Sequence, residues 1–160
     1  MRVIEPPTPP AGVKRWLVRL PIHLFRARLG WVFGTRMVLL THTGRNSGRR
    51  RQVVLEVVNH DDIRSGEIIC SSGFGKRSDW YRNILKDPAV TVQVGTRARA
   101  ATATPMSADE GEEAMARYAA RHPRIARGLC RATGFEVDGS DADFRAVGRE
   151  LPFVRFTPRR

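Results

Sequence analysis

The chain has 160 residues and a formal net charge of +12, from 28 Lys and Arg against 16 Asp and Glu. That length suits one domain with a sizeable core, and a hydrophobic content of 41% excludes a disordered chain. The charge favours partners that carry phosphates or carboxylates, namely nucleic acid, an anionic bilayer or a polyanionic cofactor, while two cysteines, Cys70 and Cys130, make no disulfide framework.

Residues 1–12 are proline-rich and read as a flexible lead-in, unlike a cleavable signal peptide. Next, Val13, Trp16, Leu17, Leu20, Leu24 and Phe25 recur near helical spacing among Lys14, Arg15, Arg19 and Arg26. Pro21 is expected to divide this stretch into two short helices. Its apolar face has two readings: packed over one end of the core, or resting on an anionic membrane surface through residues 13–33. Between Glu5 and Glu56 no acidic residue opposes the basic ones. No run approaches the roughly 20 apolar residues of a membrane span, so a cytoplasmic protein is expected, peripheral to the inner membrane face under the second reading.

A first strand is expected over 37–43, a turn over 43–48 and a second strand over 53–58, apolar on both sides except for Glu56. A hairpin connection through Asn59, His60, Asp61 and Asp62 leads to a third strand over 67–71, where Cys70 reads as a buried, inert thiol. After a glycine-rich loop, Asp79 can cap a short helix over 80–85. Residues 90–94 alternate valines with polar residues, and 97–104 return across Gly95 and Thr96 as a hairpin with one wet face. Ser107 and Glu110 have capping-box spacing before a helix to about residue 120, and a second helix is expected over 124–132. A last strand over 151–157 carries Pro152 near its start, as an edge strand tolerates. Five or six antiparallel strands with brief helices imply a mainly β (α+β) fold, a small, partly open barrel.

Two segments could carry chemistry. In the first, Gly44 and Gly48 permit a tight turn whose amides can converge on an anion, and Thr43 and Ser47 add hydroxyls. Arg45, Arg49, Arg50 and Arg51 supply charge and forked hydrogen bonds. The other reading is a solvated, arginine-rich hairpin turn. In the second segment, Ser72, Gly73, Phe74 and Gly75 form a loop feeding a helix start, which can present amides to an electron-rich ring. Lys76 and Arg77 could neutralise an anion there, and Phe74 and Trp80 could wall an aromatic ligand; Trp80 plugging the core is the alternative. His23, His42, His60 and His122 lack an evident partner, no nucleophile and base stand together, and the histidines and cysteines show no metal-ligand spacing. No catalytic residue is therefore assigned and no metal is expected. A cofactor that carries the hard chemistry needs no such set.

The run Leu39-Leu40-Thr41-His42-Thr43-Gly44-Arg45-Asn46-Ser47-Gly48 resembles the deazaflavin-dependent nitroreductase family. So, in the same order, do Ser72-Gly73-Phe74-Gly75, Ser78-Asp79-Trp80-Tyr81-Arg82-Asn83-Ile84, Asp87-Pro88-Ala89-Val90, Val92-Gln93-Val94-Gly95 and the closing Arg149-Glu150-Leu151-Pro152-Phe153-Val154. The resemblance implies a split β-barrel of the FMN-binding type over residues 36–160, behind a flexible start and basic helical segment over 1–35. It implies coenzyme F420, with FMN as the alternative, and hydride transfer to a quinone, nitro compound or activated alkene. Arg45, Ser47, Gly48, Arg49, Arg50 and Arg51 are then candidates for the cofactor phosphate and glutamyl tail. Ser72, Gly73, Phe74, Gly75, Lys76 and Arg77 run along the deazaflavin toward that tail, and Trp80 and Asn83 brace the loop.

The chain departs from the commoner pattern, a double glycine and a proline before the tryptophan. Well-studied members line their substrate pocket with tyrosines late in the chain; here none follows Tyr118, and Phe135, Phe144 and Phe153 are available instead. The alternatives are a non-catalytic F420 or FMN carrier and a nucleic-acid-binding protein, the latter disfavoured because neither Trp16 nor Trp31 is plainly a stacking residue. One subunit or two is left open.

Overall fold

The computed structural model describes residues 1–4, 13–27, 29–59, 66–73 and 75–159, with the backbone alone for 13–18. Six strands form one antiparallel sheet: β2 (Met37–Thr43), β3 (Arg50–Glu56), β4 (Ile68–Ser71), β5 (Ala89–Val94), β6 (Arg97–Pro105) and β8 (Phe153–Pro158), in the order β3-β2-β5-β6-β8-β4. The sheet curls until its two outer strands touch at one point. Val57 bridges Cys70, and the Val58 amide donates to the Ile69 carbonyl at 2.9 Å. Elsewhere the seam between β3 and β4 stays open, which makes the barrel a split one.

Directly opposed residues of an antiparallel ladder share a face. Val38 and Leu40 therefore point inward with Leu55 and Val53, and at the strand's end His42 shares this face with Arg51, which reaches solvent. The barrel core holds Val38, Leu40, Leu55, Val57, Ile68, Cys70, Val90, Val92, Val154 and Phe156. Helix α2 (Asp79–Lys86) closes one end by inserting Trp80, Tyr81 and Ile84 among them.

Helices α3 (Ala108–Arg121), α4 (Pro123–Ala132) and α5 (Asp141–Glu150) build a second core around Met115, Tyr118, Cys130, Phe144, Val147 and Phe153. The expected capping box opens α3: the Glu110 amide donates to Ser107 Oγ at 3.2 Å, and the Ser107 amide to Glu110 Oε1 at 3.1 Å. Where α3 crosses α5, a Cβ on Gly111 would lie 2.5 Å from the Gly148 carbonyl oxygen. Glycine at both positions lets the two backbones touch.

Several expectations change. Helix α1 (Val13–Arg26) runs through Pro21 without a break. Proline costs a helix interior about 3 kcal/mol, and burial of Ile22 and Phe25 against Leu39, Met37 and Val54 offsets this at roughly 1.5–3 kcal/mol per side chain. That places the distal half of α1 on the outer face of β2 and β3. Residues 1–4 are held rather than loose: Arg2–Val3 form a short strand, β1, paired with β7 (Phe135–Glu136), and the Met1 ammonium meets Asp143 at 2.5 Å. Residues 5–12 of the expected lead-in lie outside the described residues.

Strand β3 begins three residues before the expected start, and among the described residues only the single bridge at Val57 links it to β4, so no regular hairpin ladder joins the described parts of those strands. Strand β8 lies between β6 and β4 and is no edge; Pro152 precedes it. Arg97 and Arg99 lie opposite Val94 and Val92, on the valine side of the hairpin rather than on its polar face, and are exposed there. Helix α5 was not expected at all.

Candidate functional site

The two segments singled out from the sequence meet on α2. The turn after β2 is closed by its own amides: Gly44 donates to the Arg49 carbonyl and Gly48 to the Gly44 carbonyl, both at 2.8 Å, and Arg49 donates to Ser47 Oγ at 3.2 Å. Gly44 is needed because a Cβ there would sit 2.7 Å from Ser47 Oγ, and Gly48 because its φ is +69°. With the Arg45 amide also engaged, four amides of the turn serve its own structure. Those four, expected to be able to converge on an anion, are turned to the protein's own acceptors instead.

Asn83, 4% exposed, ties this turn to α2. Its Oδ1 accepts from the Arg45 amide at 3.0 Å and from Arg45 Nη1 at 2.9 Å, and its Nδ2 lies 3.1 Å from His42 Nδ1. Arg45 Nη2 reaches Asp79 at 3.2 Å, and Lys86 Nζ donates to the Arg45 carbonyl at 2.6 Å. Arg45 is thus engaged from its backbone to its guanidinium. Asn83 braces the turn rather than the glycine loop. Burial, then the Arg51 guanidinium, lowers the His42 pKa to about 4, with Asp79 opposing; the ring is neutral at neutral pH.

The glycine loop is bound to the start of α2. Ser72, fully buried, donates through Oγ to the Gly75 carbonyl at 2.6 Å, lies 2.6 Å from Ser78 Oγ, and receives its amide acceptor from Pro152. Ser78, not Asp79, holds the cap position of α2; Asp79 is free for Arg45. Gly73 is half-buried and Gly75 adopts φ +69°. Phe74 lies outside the described residues. Trp80 is 6% exposed, edge-on to Tyr81 and 6.4 Å from the Phe156 ring. It plugs the barrel.

What remains outward is cationic. Arg49, Arg50, Arg51, Lys76 and Arg77 are all exposed, and none has an acceptor among the described residues. Three arginines of the helical side do meet acids: Arg145 with Asp141 and Glu113, Arg149 with Asp109 and Glu112, and Arg155 of β8 with Glu110. Five uncommitted cations on two segments fixed to one helix suit a ligand with several negative charges.

The late aromatics do not line this region. Phe144 and Phe153 are buried in the helical core and Phe135 packs against it. Both tyrosines are buried as well, Tyr81 in the barrel and Tyr118 with its hydroxyl donating to Glu56 Oε1 at 2.6 Å. Sequence reasoning missed His42, Asp79 and Lys86 as parts of the site. The signal for His42 was its parity with Val38 and Leu40, which turns it inward at the strand's end, where a polar ring needs a partner.

A sequence model of the F420H(2)-dependent quinone reductases matches residues 19–128, more than two thirds of the chain. The chain belongs to the F420H(2)-dependent quinone reductase family. It is an F420-dependent reductase, and F420 is its cofactor. Among solved structures, that of an F420-H2 dependent reductase shares 24% identity over 76% of this chain and 93% of its own, with a TM-score of 0.51. A domain-swapped dimer shares 21% over 91% and 99%, with a TM-score of 0.54. A protein of unknown function from Agrobacterium tumefaciens shares 17% over 94% and 59%, also at 0.54. These likenesses carry the fold of this family member, a split β-barrel.

Proposed function

We propose that this reductase holds the phosphate and glutamyl tail of F420 with Arg49, Arg50, Arg51, Lys76 and Arg77, and reduces a quinone. The observation that carries the reading is that these five exposed cations, on two neighbouring segments, have no acidic partner among the described residues, whereas Arg145, Arg149 and Arg155 are paired with acids. Bound F420 in its reduced form supplies the hydride. The chain's own groups bind and orient: the guanidiniums take phosphate or carboxylate in forked pairs, and the Ser72–Ser78 contact keeps the glycine loop in one conformation against α2. FMN, with a single phosphate, would leave most of this charge unanswered. Among the described residues of these segments no aromatic surface for a nucleic-acid platform is exposed, since Trp80 is inside the barrel. Both tyrosines being engaged in the cores, no phenol stands ready to protonate an acceptor; a quinone, whose reduced oxygens can take protons from water, is the acceptor class favoured over nitro compounds.

The test is an equilibrium titration with F420 and FMN of the natural protein and an Arg49→Ala, Arg50→Ala, Arg51→Ala variant, followed by turnover of a quinone panel with reduced F420. F420 binding that weakens in the variant and falls with salt supports the reading. Equal binding by both proteins refutes the placement, and cofactor retention with no quinone turnover turns the acceptor reading into a carrier.

A second reading concerns location. Leu20, Leu29, Trp31 and Val32 are 41%, 41%, 64% and 59% exposed around α1 and the 3-10 turn Gly30–Phe33, and Arg19 and Arg36 are exposed nearby in sequence. An apolar patch among unopposed cations suits the surface of an anionic bilayer. No helix among the described residues is long and apolar enough to cross a membrane. Flotation with anionic and neutral vesicles tests the surface. A Trp31→Ser, Val32→Ser variant should lose flotation with the anionic ones, and unchanged flotation would remove this reading.

A further inference from the structure

Three polar groups converge on Asn83 from two elements: the backbone and guanidinium of Arg45 from the turn, and the His42 ring from β2. The directions of these bonds are mutually dependent. Two N–H donors from Arg45 fix Oδ1 on one side of the amide, so Nδ2 must face His42 and needs a lone pair on Nδ1. A neutral ring with its proton on Nε2 meets that need. A proton on Nδ1 would set donor against donor, and turning the amide over would present its NH2 to both Arg45 donors. His42 is directly opposite Arg51 in the ladder, and the charged groups around it, Arg51 from β3 and Asp79 from α2, act with its burial on balance to keep the ring neutral.

We propose that Asn83, read through neutral His42, is the positioning residue that sets the arginine turn in register with α2, and so fixes where Arg49, Arg50 and Arg51 meet the anionic end of the cofactor. Arg45 serves as the strut of this lock rather than as a ligand contact, and Asp79 holds its far end. The lock acts on the turn and not on the glycine loop, which is tied to α2 separately through Ser72 and Ser78. Its loss should therefore weaken recognition of the charged tail and leave recognition of the ring system alone. This inference rests on the placement of the tail proposed above.

The test compares F420 with the same hydroxylated deazaflavin carrying only a ribityl chain, which lacks phosphate and glutamates. Both are titrated into the natural protein, the triple arginine-to-alanine variant, Asn83→Leu and Asn83→Asp. Asn83→Leu should lose about tenfold in affinity for F420, the order expected when one charge-assisted anchor is removed, with the tail-less compound bound as before. Asn83→Asp keeps both acceptors for Arg45 and draws a proton onto His42 Nδ1, so F420 affinity should largely return while the ring's titration, followed by NMR, moves to higher pH. Loss in the triple variant but none in Asn83→Leu would overturn the positioning role and leave the tail site standing. Equal loss of both ligands in Asn83→Leu, without recovery in Asn83→Asp, would make the residue a general structural support and overturn the proposal. Unchanged F420 binding in the triple variant would remove the tail site and this inference with it.

Discussion

Acidification from pH 7 to 5 should destabilise the protein through one ring. His42 titrates near 6.5 when the chain is unfolded and only at about 4 when folded, because it is buried beside the Arg51 guanidinium. Between those values the unfolded chain binds a proton that the native one refuses, so stability falls as pH falls through that window and levels off below it. The full gap, at about 1.4 kcal/mol per pH unit, amounts to about 3 kcal/mol, of which about 2 kcal/mol falls between pH 7 and 5. That is a substantial share of the roughly 5–15 kcal/mol that holds a domain together. The folded carboxylate pKa values of Glu110 and Asp138 are also lowered, but their contributions disappear only as pH falls through the ordinary carboxylate range and below. The assay is urea unfolding at half-unit pH steps, with His42→Gln as the comparison. The natural protein should lose about 2 kcal/mol more than the variant over this span; parallel curves would show that the ring is not held neutral.

Gly111→Ala sets a methyl 2.5 Å from the Gly148 carbonyl oxygen and must push α3 from α5, so unfolding free energy should drop by about 1–3 kcal/mol, read as a lower Tm. Tyr118→Phe removes the 2.6 Å bond to Glu56 and should cost about 1.5–3 kcal/mol in denaturant melts; a neutral result would mean that water serves the carboxylate equally well. Cys70 is fully buried with its thiol pKa pushed up, and Cys130 is buried with its own raised to about 11. Both should resist alkylation at neutral pH in native protein and react once it is unfolded; rapid labelling of Cys70 without denaturant would contradict the closed barrel core.

The parts of the fold legible beforehand were those with an unmixed local signal. The alternating valines over 90–94, the Ser107 and Glu110 pair and the breaks at Gly44 and Gly95 each state their structure within a few residues. Helix α5 was missed although Ser140 accepts from the Asp143 amide and Phe144, Val147 and Leu151 keep helical spacing. Gly148 within the segment weakens its helical signal. Its cause is tertiary, a glycine answered by Gly111 far away in sequence. Pro21 misled in the opposite direction, since the anchors that carry α1 past it, Ile22 and Phe25, act against strands not adjacent in the chain. At the site, composition marked the arginines correctly as a group but could not separate Arg45, turned inward onto Asn83 and Asp79, from Arg49, Arg50 and Arg51. Only the pairing of turn and helix makes that distinction.

The open seam of the barrel has a consequence for solution behaviour. Strand β3 is the outermost strand of its sheet and, among the described residues, is joined to β4 only through the bridge at Val57 just after it, so the row of backbone groups along its first residues is a template onto which another chain could add a strand. Arg50 and Arg51 occupy that stretch, where like charges on two approaching molecules repel. Removing the arginines would take that repulsion away, so the colloidal state of a protein stripped of them has to be checked before any loss of binding is read as loss of a ligand contact.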